Sequence, residues 1–225
     1  MRFLGLFILL ICTDLLQAQS SDFESGILPE ITITHKVSDR VKLTTKVESM
    51  QRIFSSTTDE PFSYSYLRTD IQLFGAYKLN PFWEISAGYQ YRFAEAGPDS
   101  QRSIQQAGFT QKKSSYRILH RFRTDQTWIK DQASLFRFRY RPTLELPLNG
   151  QSIDPGETYC LIADEVLYGF RGKNHGLENR IVISFGKMFS DRSKVETGLD
   201  YRADQLLENA QRHDLWLRLA WFYTI

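Results

Sequence analysis

Two neighbouring segments of the chain each carry three arginines on one parity. Phe136-Arg137-Phe138-Arg139-Tyr140-Arg141 interleaves three guanidiniums with aromatic rings, and Arg117, Arg121 and Arg123 share one parity upstream, followed by Asp125. A guanidinium is planar, permanently charged and presents a rigid fork of donors, which suits the paired oxygens of carboxylates and phosphates. Successive side chains of an extended strand point to opposite faces. Spacing by two therefore stacks Arg137, Arg139, Arg141 and Glu145 on one face, and Arg117, Arg121, Arg123 and Asp125 on one face of the adjoining segment. Guanidiniums this crowded need counter-charges, and Asp125, Glu145 and Glu165 are the carboxylates placed to supply them; Arg180 belongs to the same set. Such a surface either binds or passes small anions, or serves as a salt-bridged filling for a confined space.

Other chemistry finds little support. The four histidines are His35, His120, His175 and His213. A serine hydrolase of membrane lipids needs a histidine beside a serine and a third residue to orient it. His35 and Ser38 could approach across a turn but lack a third member, and His120 alternates with Ile118 and Phe122 on an apolar face. His175 and His213 fall at loop margins, a weak metal signal without acidic neighbours at fixed spacing. No HExxH, CxxC, P-loop or dinucleotide fingerprint is present. The reading is therefore a non-enzyme with no metal and no cofactor, with a barrel enzyme acting on membrane lipids as the alternative.

The elements that must position these residues show a period of two almost throughout. Val41, Leu43, Thr45 and Val47 oppose Lys42, Thr44, Lys46 and Glu48; Leu215, Leu217, Leu219, Trp221 and Tyr223 oppose Asp214, Trp216, Arg218 and Ala220. Eleven such runs lie near 30–37, 41–54, 63–78, 82–93, 102–112, 115–128, 133–147, 159–170, 179–189, 194–202 and 213–225. Most exceed the five or six residues usual in soluble sheets and match the roughly 9–11 needed to cross a bilayer. Aromatic residues gather at their ends, among them Tyr77, Trp83, Phe93, Trp128, Phe170, Phe189 and Tyr223, as in interfacial girdles. Short and long connections largely alternate, although 148–158 is too long for its place. This predicts an all-β, closed antiparallel transmembrane β-barrel with short periplasmic turns and longer outer loops. Since single-chain bacterial barrels have even strand numbers, twelve strands are expected, with Ser20–Ser25 as a short extra one, or ten if 102–112 is not a strand. A soluble periplasmic ligand-binding barrel shares the same alternation and is the further alternative.

Composition bounds the rest. A hydrophobic share of 42% with 24% charged residues excludes a disordered chain, and a formal charge of +2 excludes a strongly basic nucleic-acid binder. Residues 1–18 read as a cleaved signal peptide, with Arg2 ahead of the apolar run Phe3–Cys12 and the small Ala18 before the cut. Residues 19–225 then form one domain, whose single cysteine, Cys160, excludes an internal disulfide.

The chain also resembles an uncharacterised family of small outer-membrane β-barrel proteins, common in Bacteroidota-type bacteria and defined as a domain of unknown function. The resemblance is carried by His120-Arg121-Phe122-Arg123-Thr124-Asp125-Gln126, by Phe136–Arg141 running into Leu144-Glu145-Leu146-Pro147, by Asp164-Glu165 with Asn179-Arg180, and by Tyr77-Lys78-Leu79-Asn80 before Gly88-Tyr89. It covers nearly all of the mature chain and implies a fold and a Gram-negative outer-membrane location, but no activity. On this reading the partners are outer-membrane lipid and, during insertion, the barrel-assembly machinery; the protein is a monomer with an Arg/Glu-lined, largely occluded lumen.

Overall fold

In the computed structural model, which describes residues 21–208 and 210–225, the period-two segments become eleven strands. These are β1 (Asp22–Lys36), β2 (Val41–Ser55), β3 (Phe62–Lys78), β4 (Trp83–Ala94), β5 (Ser100–Lys112), β6 (Arg117–Ile129), β7 (Leu135–Pro147), β8 (Thr158–Arg171), β9 (Asn174–Ser190), β10 (Ser193–Asp204) and β11 (Arg212–Thr224). Each pairs antiparallel with its sequence neighbour, and β1 closes on β11 to give a barrel. The proposed signal segment, residues 1–18, lies outside the described residues.

The strand number corrects the even counts of twelve and ten. Ser100–Lys112 is a full strand, and Asp22–Ser25 is no separate element but the start of β1. The register shifts once between Ser25 and Gly26, where a Cβ on Gly26 would stand 2.0 Å from the Gln51 carbonyl oxygen. Glycine lets the two backbones approach there, so the strand runs on through an irregularity instead of ending. With an odd number of alternating strands, the first and last point the same way and can close only in parallel. They do so from Asp22↔Arg212 to Thr34↔Thr224. The Asp22 amide donates to the Gln211 carbonyl at one rim, while Lys36 donates to the Ile225 carbonyl at the other.

One rim carries the connections 37–40, 79–82, 113–116, 148–157 and 191–192; the opposite rim carries 56–61, 95–99, 130–134, 172–173 and 205–211. The short-then-long rhythm is thus broken twice. The longest connection sits among the short turns, and β8–β9 is joined by a tight turn in which Gly172 takes φ +61°.

The wall sorts side chains by parity. Outward positions hold exposed apolar residues on nearly every strand, including Ile31, Leu43, Leu73, Ile85, Phe138, Ile183, Leu199 and Leu219. So broad a belt exceeds the few hundred Å² of apolar patch that a soluble monomer normally exposes. Inward positions hold the ionic residues, but the interior is not purely ionic. Leu28, Met50 and Trp216 form a buried cluster against Leu67, and Leu161, Ala163 and Val182 form another.

Two inward aromatic rings lie flat over glycines on the next strand. Phe74 covers Gly88, and Tyr159 covers Gly186, where an added Cβ would meet the ring at 2.2 Å. Tyr159 is buried and its hydroxyl donates to Glu196 at 2.7 Å, so the ring has nowhere to retreat. Gly186→Ala is expected to destabilise the barrel by about 1–3 kcal/mol through overpacking. A urea midpoint measured in detergent, unchanged from the native chain, would contradict this packing.

Candidate functional site: a charged interior cavity

Eleven strands spaced about 4.8 Å apart and tilted by about 40° enclose a backbone cylinder roughly 22 Å across. Long inward side chains fill much of that width and leave a cavity of 1310 Å³. Its lining includes Ser38, Asp39, Asn80, Pro81 and Phe82 from the rim of mostly short turns. No described residue of the five connections at the other rim lines it, although it extends to Asp204 and Arg212 at the ends of β10 and β11. The mouth framed by connecting residues therefore lies at the short-turn rim, while the opposite rim is reached only at the ends of β10 and β11.

Asp125 is the most heavily engaged acid. Its carboxylate is buried on β6 and takes a hydrogen bond from Arg137 Nε at 2.8 Å. Arg139 Nε stands 2.9 Å from its other oxygen, and Arg102 Nε stands 3.5 Å away. β5, β6 and β7 are successive neighbours in the sheet, which is how one acid collects arginines from both flanking strands. Arg102 is further held by Thr127 and by Gln90. Gly169 leaves room for Arg137, whose Cγ would be 3.1 Å from a Cβ there.

The remaining residues of the sequence-derived set divide into several groups. Arg121 on β6 donates to Glu165 on β8 at 2.6 Å, spanning the intervening β7. Arg180 on β9 bonds Glu178 on its own strand, at a spacing of two. Arg117 and Glu145 pair at 2.7 Å, nearer the mouth and apart from the Asp125 group. Arg123 has no carboxylate among the described residues: both Nε and Nη2 donate to the Gln106 side-chain oxygen, and the guanidinium lies 5.5 Å from the centre of the Phe74 ring. Arg141 forms no ion pair among the described residues, yet it also lines the cavity.

Across the cavity the charges are better matched. Arg218 bridges Glu30 and Glu196, Lys46 bridges Glu30 and Glu48, and Arg202 pairs with Asp200. The cationic surplus is thus largest on the wall made by β5–β9, although Lys36 and Lys78 also line the cavity without an ion-pair partner among the described residues. Buried ion pairs of this kind stabilise little in net terms, but removing one partner strands the other at high cost.

Several participants escaped the sequence reading. Arg102 lies in the segment whose alternation was faintest, because Gln101, Ser103 and Gln105 make its outer face polar too. Glu178 was placed in a loop that the tight 172–173 turn converts into strand. Lys194, at 3.0 Å from Glu196, and Arg212, at 3.1 Å from Asp214, were readable from parity but stood at strand ends.

The other chemical candidates have partners apart from the ionic cluster, although Ser38 and His120 also line the cavity. Ser38 Oγ accepts from the amides of Arg40 and Val41 and has no contact with His35. His120, His175 and His213 each engage a tyrosine hydroxyl through Nδ1, from Tyr140, Tyr168 and Tyr201, at 2.8, 2.7 and 2.8 Å. Their rings stack nearly parallel on those tyrosines. Asp164 faces outward beside Pro142, whose missing N–H interrupts the β7–β8 ladder, and accepts from Asn179 Nδ2 at 2.6 Å. Cys160 is a free thiol.

A closed barrel with an apolar outer wall, ionic pairs inside and a one-sided cationic surplus defines the class of this protein. Within that class, the chain belongs to the family described as "Protein of unknown function (DUF2490)", whose model matches residues 25–214. No curated protein and no solved structure matches it.

Proposed function

We propose that this protein is a monomeric β-barrel of a Gram-negative outer membrane, exported by a cleaved signal peptide and inserted by the barrel-assembly machinery. Its Arg/Glu-lined, largely occluded lumen serves a structural role or the restricted passage of small anions. The observation that carries this reading is the sorting of the wall. Apolar side chains stand outward on nearly every strand, interrupted by a polar patch on β5 and β6, whereas guanidiniums and carboxylates meet inside. A soluble barrel inverts that order, because water rewards charge on the outside and a dry interior. The strands, mostly 12–17 residues long, comfortably exceed a bilayer crossing.

Recovery in the membrane fraction with heat-modifiable migration on a detergent gel is the expected result, and recovery in the soluble periplasmic extract rejects the location. For the passage reading, Lys36 and Lys78 at the mouth are the handles: both are exposed, line the cavity and have no ion-pair partner among the described residues. Planar-bilayer current under a KCl gradient should show anion preference, and Lys36→Glu with Lys78→Glu should move the reversal potential toward the cation side. An unmoved potential rejects anion selection at the mouth. Inserted protein that carries no current favours the filled, structural barrel.

A further inference from the structure

We infer that the inner wall of β6 and β7 is a binding site for a soluble phosphoryl anion, entered from the short-turn rim. The inference rests on the charged interior that the proposed function uses and names the chemistry it receives. In the ladder, Arg121 stands directly opposite Arg141, and Arg123 directly opposite Arg139. Like charges facing across a strand pair repel, and four of them form a block that the protein neutralises only in part. Arg121 spends one terminal nitrogen on Glu165, and Arg139 leans on an Asp125 already shared with Arg137 and Arg102. Among the described residues Arg123 has only an amide oxygen and the face of Phe74, and Arg141 has no ion-pair or hydrogen-bond partner.

Donors are left over as well as charge. Arg121 Nε and Arg137 Nη2 are buried without a hydrogen-bond acceptor. All five of these arginines line the 1310 Å³ cavity. A structure that merely needed its arginines neutralised would have a carboxylate beside each, as the opposite wall does for Arg202 and Arg218. What fits here is a multiply charged tetrahedral oxyanion, which offers several oxygens to several forks at once. The volume exceeds what one phosphate requires and accommodates an organic phosphate or a polyphosphate. Lys36 and Lys78 at the mouth add attraction along the approach.

The test uses purified full-length protein in neutral detergent, titrated calorimetrically with sodium pyrophosphate. Saturable binding is expected, and Arg123→Gln with Arg141→Gln should weaken it at least tenfold. Neither arginine pairs with a carboxylate among the described residues, so the double variant should retain heat-modifiable migration. Lys113→Gln, in the turn between β5 and β6, should leave binding unchanged. A parallel arm replaces pyrophosphate by phosphatidic acid in mixed micelles. Arginine-dependent binding in that arm alone assigns the site to a lipid headgroup and overturns a soluble ligand. A heat-modifiable, membrane-recovered protein that ignores pyrophosphate, or binds it equally well in the double variant, overturns the inference while leaving the proposed function intact. Arginine-dependent binding by a protein recovered in the soluble extract does the reverse.

Discussion

Asp125→Asn is expected to be among the most damaging single substitutions in the barrel, costing about 3–5 kcal/mol. The change keeps the size and shape of the side chain and removes only its charge. Arg137, Arg139 and Arg102 all converge on that carboxylate, which is fully buried. Without it, three guanidiniums remain in a confined interior, and their nearest alternative acids, Glu165 and Glu178, are already engaged by Arg121 and Arg180. Urea unfolding in detergent micelles, followed by tryptophan fluorescence, reads the loss directly. A companion variant separates charge balance from fold damage. Replacing Asp125, Arg137 and Arg139 together with leucine and two methionines removes the acid along with its two closest partners and leaves Arg102 to Thr127 and Gln90, and such exchanges of buried ionic groups for apolar ones are often near neutral. The triple variant should recover much of the lost stability. An Asp125→Asn protein that unfolds at the native urea concentration would show that the arginines do not depend on this acid.

The second large effect concerns the outer wall. Leu199 lies midway along β10, is 50% exposed, and stands beside the equally outward Ile183 of β9. If hydrocarbon surrounds it, Leu199→Arg should cost about 2–4 kcal/mol, the range for arginine at the midplane of a membrane barrel. If water surrounds it, an exposed leucine replaced by arginine should change stability by no more than about 0.5 kcal/mol. Refolding from urea into phospholipid vesicles measures the difference, and the two expectations do not overlap. Phe189→Arg, at the end of β9 where the side chain is 59% exposed, provides the depth control. Its cost should fall to about 0–1 kcal/mol near the interface. Equal, negligible costs at both depths would reject a lipid-facing belt.

Much of this architecture was written in the chain's alternation. A strand's two faces are fixed by backbone geometry, so parity alone put Arg137, Arg139 and Arg141 on the face opposite Phe136, Phe138 and Tyr140. The same rule assigned Trp216 to the face of Asp214 and Arg218, without revealing that it would pack with Leu28 and Met50 instead of meeting charge. Where both faces are polar the rule loses contrast. In β5 and β6 the outward Gln105 accepts from Thr124 at 2.8 Å and from Gln126 at 3.2 Å, a mutually satisfied patch that reads in sequence like a loop.

Strand number, closure and partner choice were beyond local pattern. Whether Gly26 ended a strand depended on its close approach to Gln51, and an odd count with parallel closure depended on β1 meeting β11, some 190 residues away. Parity likewise said which arginines face inward but not which acid each would find. Arg121 reaches past its neighbour to Glu165, whereas Arg141 reaches none among the described residues. Face assignment follows from two adjacent residues of one strand, so sequence determines it. Pairing depends on the register and curvature of the closed sheet, a property of all the strands together, and only the folded barrel decides it.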